Sequence, residues 1–160
     1  MRAVICDAYG DLDNLRLGDM EDPVPGPGEV VVDVHAAGVN FPDLLLVRGQ
    51  YQARPDPPFV PGGECSGTIA AVGEGVDAGL LGREVIAMGM TGAFAEKMKV
   101  EAAAIAPVPP GLGLDQAAGV AITYGTSLYA LAQRAGLEKG ETLLVLGAAG
   151  GVEGAGSTLC

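Results

Sequence analysis

The stretch Gly147-Ala-Ala-Gly-Gly-Val152 follows the apolar run Leu143 to Leu146, and a strand running into clustered glycines is one form that phosphate-binding turns take. Gly147, Gly150, Gly151 and Val152 give the spacing G-x-x-G-G-V, in which backbone N–H groups at the start of the next helix can meet a pyrophosphate. The same residues equally suit an ordinary strand-to-helix turn. Glu153 adds a carboxylate to the first turn of that helix, which favours the helix but opposes a phosphate beside it.

Other polar residues carry weaker signals. Asn40 stands before "FPDLLLVRG" as a helix cap would. Tyr51 reads as a loop residue packing its ring. The Thr123 hydroxyl suits a bond back to the preceding helical turn. Glu64 is the sole carboxylate in the glycine-rich stretch Pro61 to Gly67, which invites a general-acid role. His35, the single histidine, falls on the strand face opposite Val32, Val34 and Ala36, and a half-exposed structural histidine is expected there. Cys6, Cys65 and Cys160 are odd in number, far apart and in no C-x-x-C pair, so they suggest neither a disulfide framework nor a zinc ribbon.

The elements that must hold these residues fall into two styles. Up to about residue 110, short strands alternate with Pro/Gly turns: "RAVICDA", "EVVVDVHAAGV", "SGTIAAVGE", "REVIAMG" and "FAEKMKV", the pattern of a small barrel or sandwich. One short helix interrupts them, capped by Asn40, with Pro42 in its first turn and Gly49 as its stop. After "APVPPGLGL" the spacing predicts a helix ending at Gly136, with Val120, Tyr124, Leu128 and Leu131 on one face. A buried strand is expected at Leu143 to Leu146. Gly154 and Gly156 each cost a helix about 1 kcal/mol against alanine, so residues 153 to 160 are expected to be poorly helical.

With 160 residues and a net charge of −11 from nine Lys and Arg against twenty Asp and Glu, the chain lacks the clustered cations of a nucleic-acid binder. Mean hydropathy is +0.34, yet no apolar run reaches the length of a membrane helix. The N-terminus has no signal-peptide pattern. A soluble, cytoplasmic protein with no membrane partner is expected.

Four motifs acquire meaning together: Gly38-Val39-Asn40-Phe41 with Asp43, Pro61-Gly62-x-Glu64-x-x-Gly67, Thr123-Tyr124-x-Thr126, and the turn from Gly147 to Val152. In order and spacing they resemble the medium-chain dehydrogenase/reductase superfamily, and within it the zinc-free quinone oxidoreductases related to zeta-crystallin. The resemblance implies an α+β chain: a GroES-like β-barrel catalytic domain over residues 1–113, then the truncated start of a Rossmann-type α/β domain over 114–160. Zinc alcohol dehydrogenases of that superfamily have Cys where Asn40 stands and His where Gly63 stands, so no metal site is expected. Glu153 stands where relatives carry glycine.

The function so implied is NADPH-dependent reduction of a quinone or enone, with hydride passing from nicotinamide C4 to a conjugated acceptor without zinc. A delocalised enolate product needs only a few neutral hydrogen bonds and a dry cleft. By resemblance Asn40 and Tyr51 line that cleft as catalytic residues, while Thr123, Gly147, Gly150, Gly151 and Val152 bind the cofactor. Glu64 looks structural in the zinc-free relatives. NADH stays open as an alternative cofactor. An enoyl-CoA or acrylyl-CoA-type reductase and an inactive GroES-like scaffold are the alternative functions. The apolar edge at Leu143 to Leu146 also predicts a homo-oligomer, and Glu153 predicts weak NADPH binding.

Overall fold

A computed structural model describes residues 1–159. They fall into two compact units, residues 1–119 and 120–159, each described by itself.

The first unit is built from seven strands: β1 (Arg2–Cys6), β2 (Leu15–Asp19), β3 (Glu29–Gly38), β4 (Glu64–Val72), β5 (Glu84–Met88), β6 (Lys97–Glu101) and β7 (Ile105–Pro107). β1 and β2 form an antiparallel pair. The other five make an antiparallel sheet in the order β6-β3-β4-β5-β7. Single bridges from Ala3 to Ala95 and from Cys6 to Phe59 connect β1 to the loops beside β6 and before β4. All five expected strands are present. β2 and β7 are additions, each only a few residues long and defined by the strand it pairs with. Pro107 lacks an N–H, and its strand lies on a sheet edge, where that loss is tolerated.

Period-two alternation builds the core. Val30 and Val32 of β3, Cys65 and Ile69 of β4, Val85 and Ala87 of β5, and Met98 and Val100 of β6 meet in one buried cluster. Burying a side chain such as Ile69 is worth about 2–3 kcal/mol. The β3–β4 register slips between Val34 and Ala36, leaving His35 as the extra residue of a bulge. His35 is half-exposed, as expected, and its Nε2 lies 3.1 Å from Asp115 Oδ1. A surface pair of this kind contributes about 0–1 kcal/mol.

Helix α1 (Phe41–Val47) forms where its caps predict. Asn40 has extended dihedrals, Pro42 occupies the first turn, and Gly49 takes φ +65°, a conformation that favours glycine. Its buried Leu46 and Val47 join Cys6 and Phe59 in a second small cluster.

Both buried cysteines are inert by environment. Burial pushes the Cys65 thiol up to about 12, with the neighbouring Glu64 charge acting in the same direction. Burial also raises Cys6. The thiolate is the reactive form, so native protein at pH 8 should leave Cys6 and Cys65 unalkylated by iodoacetamide over minutes, and guanidinium should expose both. Peptide mass spectrometry locates the adducts, and rapid native labelling of either residue would contradict this assignment.

The helical region differs from its expected form. A single helix reaching Gly136 was expected; instead α2 (Leu114–Ala117) stops before Gly119, α3 (Val120–Leu128) follows, and residues Tyr129–Arg134 widen into a π-helical turn. The Ala135 N–H bonds to Ala130 O at 2.9 Å, and Gly136 ends the run at φ +62°. The packed face is also different. Tyr124 and Leu128 are 38% and 52% exposed, whereas Ser127 is buried.

The reason lies in α4 (Gly151–Leu159), the packing partner of α3. Its Gly151 allows close approach, since a Cβ there would stand 3.0 Å from Thr123 Cγ2, whereas at Gly156 a Cβ would make only ordinary contacts at 3.8 Å with Leu131 Cδ1 and Ser127 Oγ. Ala155 beside it is buried. Residues Gly151–Leu159 are therefore helical despite Gly154 and Gly156, and the expectation of a poorly helical segment is corrected over the described residues. Packing against α3 compensates for the low propensity. The strand expected at Leu143 to Leu146 is also absent. A strand exists through its ladder, and no described strand pairs with this segment, which leaves Leu144 and Leu146 79% and 76% exposed.

Candidate functional site

Two short-range features and one long-range contact set the environment of Asn40. The backbone N–H of Asn40 donates to Asp43 Oδ2 at 2.8 Å, the return bond of a capping box. Asp43 is buried. Burial raises its pKa, while the backbone N–H groups of Asn40 and Gly63 pull it back down. Asp43 thereby ties the first turn of α1 to the glycine-rich segment before β4.

The long-range contact is a hydrogen bond from Asn40 Nδ2 to Glu64 Oε1, 2.8 Å long. Glu64 opens β4 and is fully buried. Space for its carboxyl comes from Gly38, where a Cβ would lie 2.5 Å from Glu64 Oε1 and 2.6 Å from the Ala118 carbonyl oxygen. Spacing alone did not reveal this pairing. The motif residues Gly38, Asn40, Asp43 and Glu64 are thus assembled at one place, with Asp43 and Glu64 as members that the sequence reading left without a role in the site.

Tyr51 follows α1 and packs its half-buried ring against the cluster of Cys6, Leu46, Val47 and Phe59. That is the packing expected of a loop tyrosine. Its hydroxyl hydrogen-bonds to no other described residue.

In the second unit, Thr123 on α3 lies beside the glycine turn, for a Cβ on Gly151 would stand 3.0 Å from Thr123 Cγ2. Gly147 takes φ +76°, and the Gly150 N–H bonds to Gly147 O at 2.8 Å. Ser127, which the sequence reading overlooked, places its hydroxyl 2.9 Å from Thr123 O and 2.6 Å from Val152 O. With one hydrogen, it joins α3 to the start of α4 by a single shared donor. A buried serine in an apolar helix was the available signal.

The turn has the features of a backbone cradle: a positive-φ glycine, a helix of nine residues behind it, and small residues at Gly150 and Gly151. Its main departure is Glu153. The Glu153 Oε2 atom would lie 2.3 Å from a Cβ on Gly150, so the carboxylate folds back over the turn. Of the turn's N–H groups that of Gly150 is taken by Gly147 O, and the Glu153 side chain crowds the remainder. Among the described residues, no three His, Cys, Asp or Glu side chains converge as a metal site would require, and no helix is long and apolar enough to cross a membrane.

The fold and its residues agree with known proteins. Residues 26–110 match the alcohol dehydrogenase GroES-like domain. This chain belongs to that family, within the medium-chain dehydrogenase/reductase superfamily. It is 42% identical over 125 residues to mouse quinone oxidoreductase-like protein 2, covering 78% of this chain and 36% of the relative. The crystal structure of human synaptic vesicle membrane protein VAT-1 homolog-like protein superposes with a TM-score of 0.96 at 35% identity, over all of this chain and 52% of that one. The quinone oxidoreductase of Thermus thermophilus, solved also in complex with NADPH, gives 0.86 at 34% identity, over 99% of this chain and 49% of the other. The chain therefore spans between about a third and about half of these proteins.

Proposed function

We propose that this chain carries the acceptor-binding part of an NADPH-dependent quinone oxidoreductase working without zinc, with residues 1–113 as its catalytic domain and 114–160 as the opening of its dinucleotide domain. The observation that carries the reading is Asn40: an uncharged amide, held by Glu64 at 2.8 Å, stands where zinc-dependent relatives have a thiolate. Names of the similar proteins, two of them quinone oxidoreductases or like them, support the acceptor class.

In this reading the nicotinamide, when bound, supplies the hydride. Asn40 directs its remaining amide N–H to the acceptor oxygen, and the Tyr51 hydroxyl donates to the same oxygen as charge develops there. Thr123 positions the nicotinamide ring, while Gly147, Gly151 and Val152 offer backbone N–H groups to the pyrophosphate and Gly150, whose N–H bonds to Gly147 O, shapes the turn beside it. NADPH is the proposed cofactor. A cytoplasmic setting and self-association through exposed Leu144 and Leu146 complete the proposal.

Glu153 weakens cofactor binding. Two like charges about 5 Å apart repel by roughly 3 kcal/mol at an effective dielectric near 20, and exposure of Glu153 screens that to less. Glu153→Gly should therefore tighten NADPH binding by about tenfold, read from nicotinamide fluorescence on titrating the chain. An unchanged Kd would remove Glu153 from the phosphate site.

The acceptor class is tested in a polypeptide of the relatives' full length carrying these residues. NADPH oxidation with 1,4-benzoquinone is compared with that on crotonyl-CoA, and faster reduction of the quinone is expected. Exclusive turnover of the enoyl thioester would transfer the site to a second reading, an enoyl reductase, favoured by the structural match to the CurK enoyl reductase (TM-score 0.89, 29% identity). No NADPH oxidation with either acceptor would overturn the proposal.

A further inference from the structure

We infer that Glu64 is a positioning residue that fixes which edge of the Asn40 amide faces the acceptor. The inference rests on the proposed role of Asn40 and adds a second residue to it. A primary amide has two chemically different edges, an N–H donor edge and a carbonyl acceptor edge, related by a half-turn about its last bond. An Asn cap alone leaves that choice to local bonds. Glu64 removes the choice, because its Oε1 takes the accepting side of the bond from Nδ2. Nδ2 must face Oε1, as its 2.8 Å contact has it. One Nδ2 proton is thereby committed, and the other stays available to an acceptor oxygen.

Three features hold Glu64 to this task. It is fully buried at the start of β4, so its side chain has little room to turn away. Gly38, with no Cβ, leaves the space its carboxyl occupies. Asp43 fixes the backbone end of the same asparagine through the Asn40 N–H. Backbone and amide are therefore held separately by two carboxylates, one from α1 and one from β4. The ligand this arrangement suits is a conjugated carbonyl: it brings a lone pair to the single free N–H and has no proton to give the amide oxygen.

The test is a double-mutant cycle in the full-length protein carrying these residues, with 1,4-benzoquinone and NADPH. Glu64→Gln keeps the shape but offers either a carbonyl or an amide to Asn40, so both amide orientations become populated. The expected result is a fall in kcat/KM of about three- to tenfold. Combined with Asn40→Ala it should cause no further fall, since a residue that acts through Asn40 has nothing left to position. A purely structural role would give additive losses and overturn the inference. Wild-type kinetics for Glu64→Gln beside an impaired Asn40→Ala would also overturn it and leave the proposed role of Asn40 standing. Wild-type kinetics for Asn40→Ala would overturn both.

Should Glu64→Gln not fold, the unmodified 160-residue chain gives a second measurement. Its Asn40 side-chain amide, assigned by its disappearance from the nitrogen-proton spectrum of Asn40→Ser, should have one proton exchanging at least about tenfold more slowly than the other. Two protons exchanging alike would overturn the inference without reference to activity.

Discussion

Asn40→Ala in the full-length protein carrying these residues is expected to lower kcat/KM for quinone reduction by about tenfold to a hundredfold, equivalent to roughly 1–3 kcal/mol of transition-state stabilisation. Loss of one directed N–H explains the lower figure. The higher one follows if Glu64, buried and deprived of its 2.8 Å partner, draws water into the site or shifts toward the vacancy. Because Asn40 also caps α1, alanine should cost about 1 kcal/mol in stability as well. Asn40→Ser separates the two effects, since serine keeps the cap and removes the amide. It should melt close to the parent yet show a comparable kinetic loss. Kinetics equal to the parent in both variants would remove Asn40 from the site, and a loss in alanine alone would reduce its role to capping.

The largest expected effect on stability is at Gly67. It pairs with Val34 on β3 and Val85 on β5, so it lies in a strand with neighbours on both sides. A Cβ there would stand 2.0 Å from the Asp33 carbonyl oxygen and 2.9 Å from Val32 Cγ1. The first of these atoms is backbone of a paired strand, beside the bulge at His35, so relief requires β3 itself to shift. Overpacking typically costs about 1–3 kcal/mol, and Gly67→Ala should lie at or beyond the upper end, about 3 kcal/mol. In a chain of this size that lowers Tm by about 6–12 °C. Gly125→Ala is the control. Gly125 sits on the exposed face of α3 with nothing within 4 Å of its added Cβ, and alanine there should stabilise by up to about 1 kcal/mol. A parent-like Tm for Gly67→Ala would show that β3 accommodates the methyl group and that the close approach there is not required.

These predictions divide along the same line as the fold. Helix α1 was legible because its signals act within a few residues: Asn40 before it, Pro42 in its first turn and Gly49 after it. The five expected strands, β1, β3, β4, β5 and β6, were legible for the same reason, their alternation being a property of consecutive side chains. The apolar run at Leu143 to Leu146 shows where such reading stops. Its residue types suit a buried strand, but strand character comes from a partner's ladder, and none of the described strands supplies one. β2 and β7 are the converse, weak patterns made into strands by β1 and β5.

Residues 151–159 carry the argument to energetics. Propensity counted Gly154 and Gly156 as losses, whereas packing against α3 buries Ala155 and Ser127 and offsets them. The sequence by itself therefore determined the family motifs, the short helix and its caps, the strand alternation, and the glycine turn with its opposing Glu153. Only the tertiary structure decided which face of α3 is covered and that Glu64, 24 residues from Asn40, meets its amide. Capping and alternation are satisfied by atoms a few bonds apart along the chain. A hydrogen bond to a buried carboxylate depends on the register of a sheet, and register is set by every strand at once.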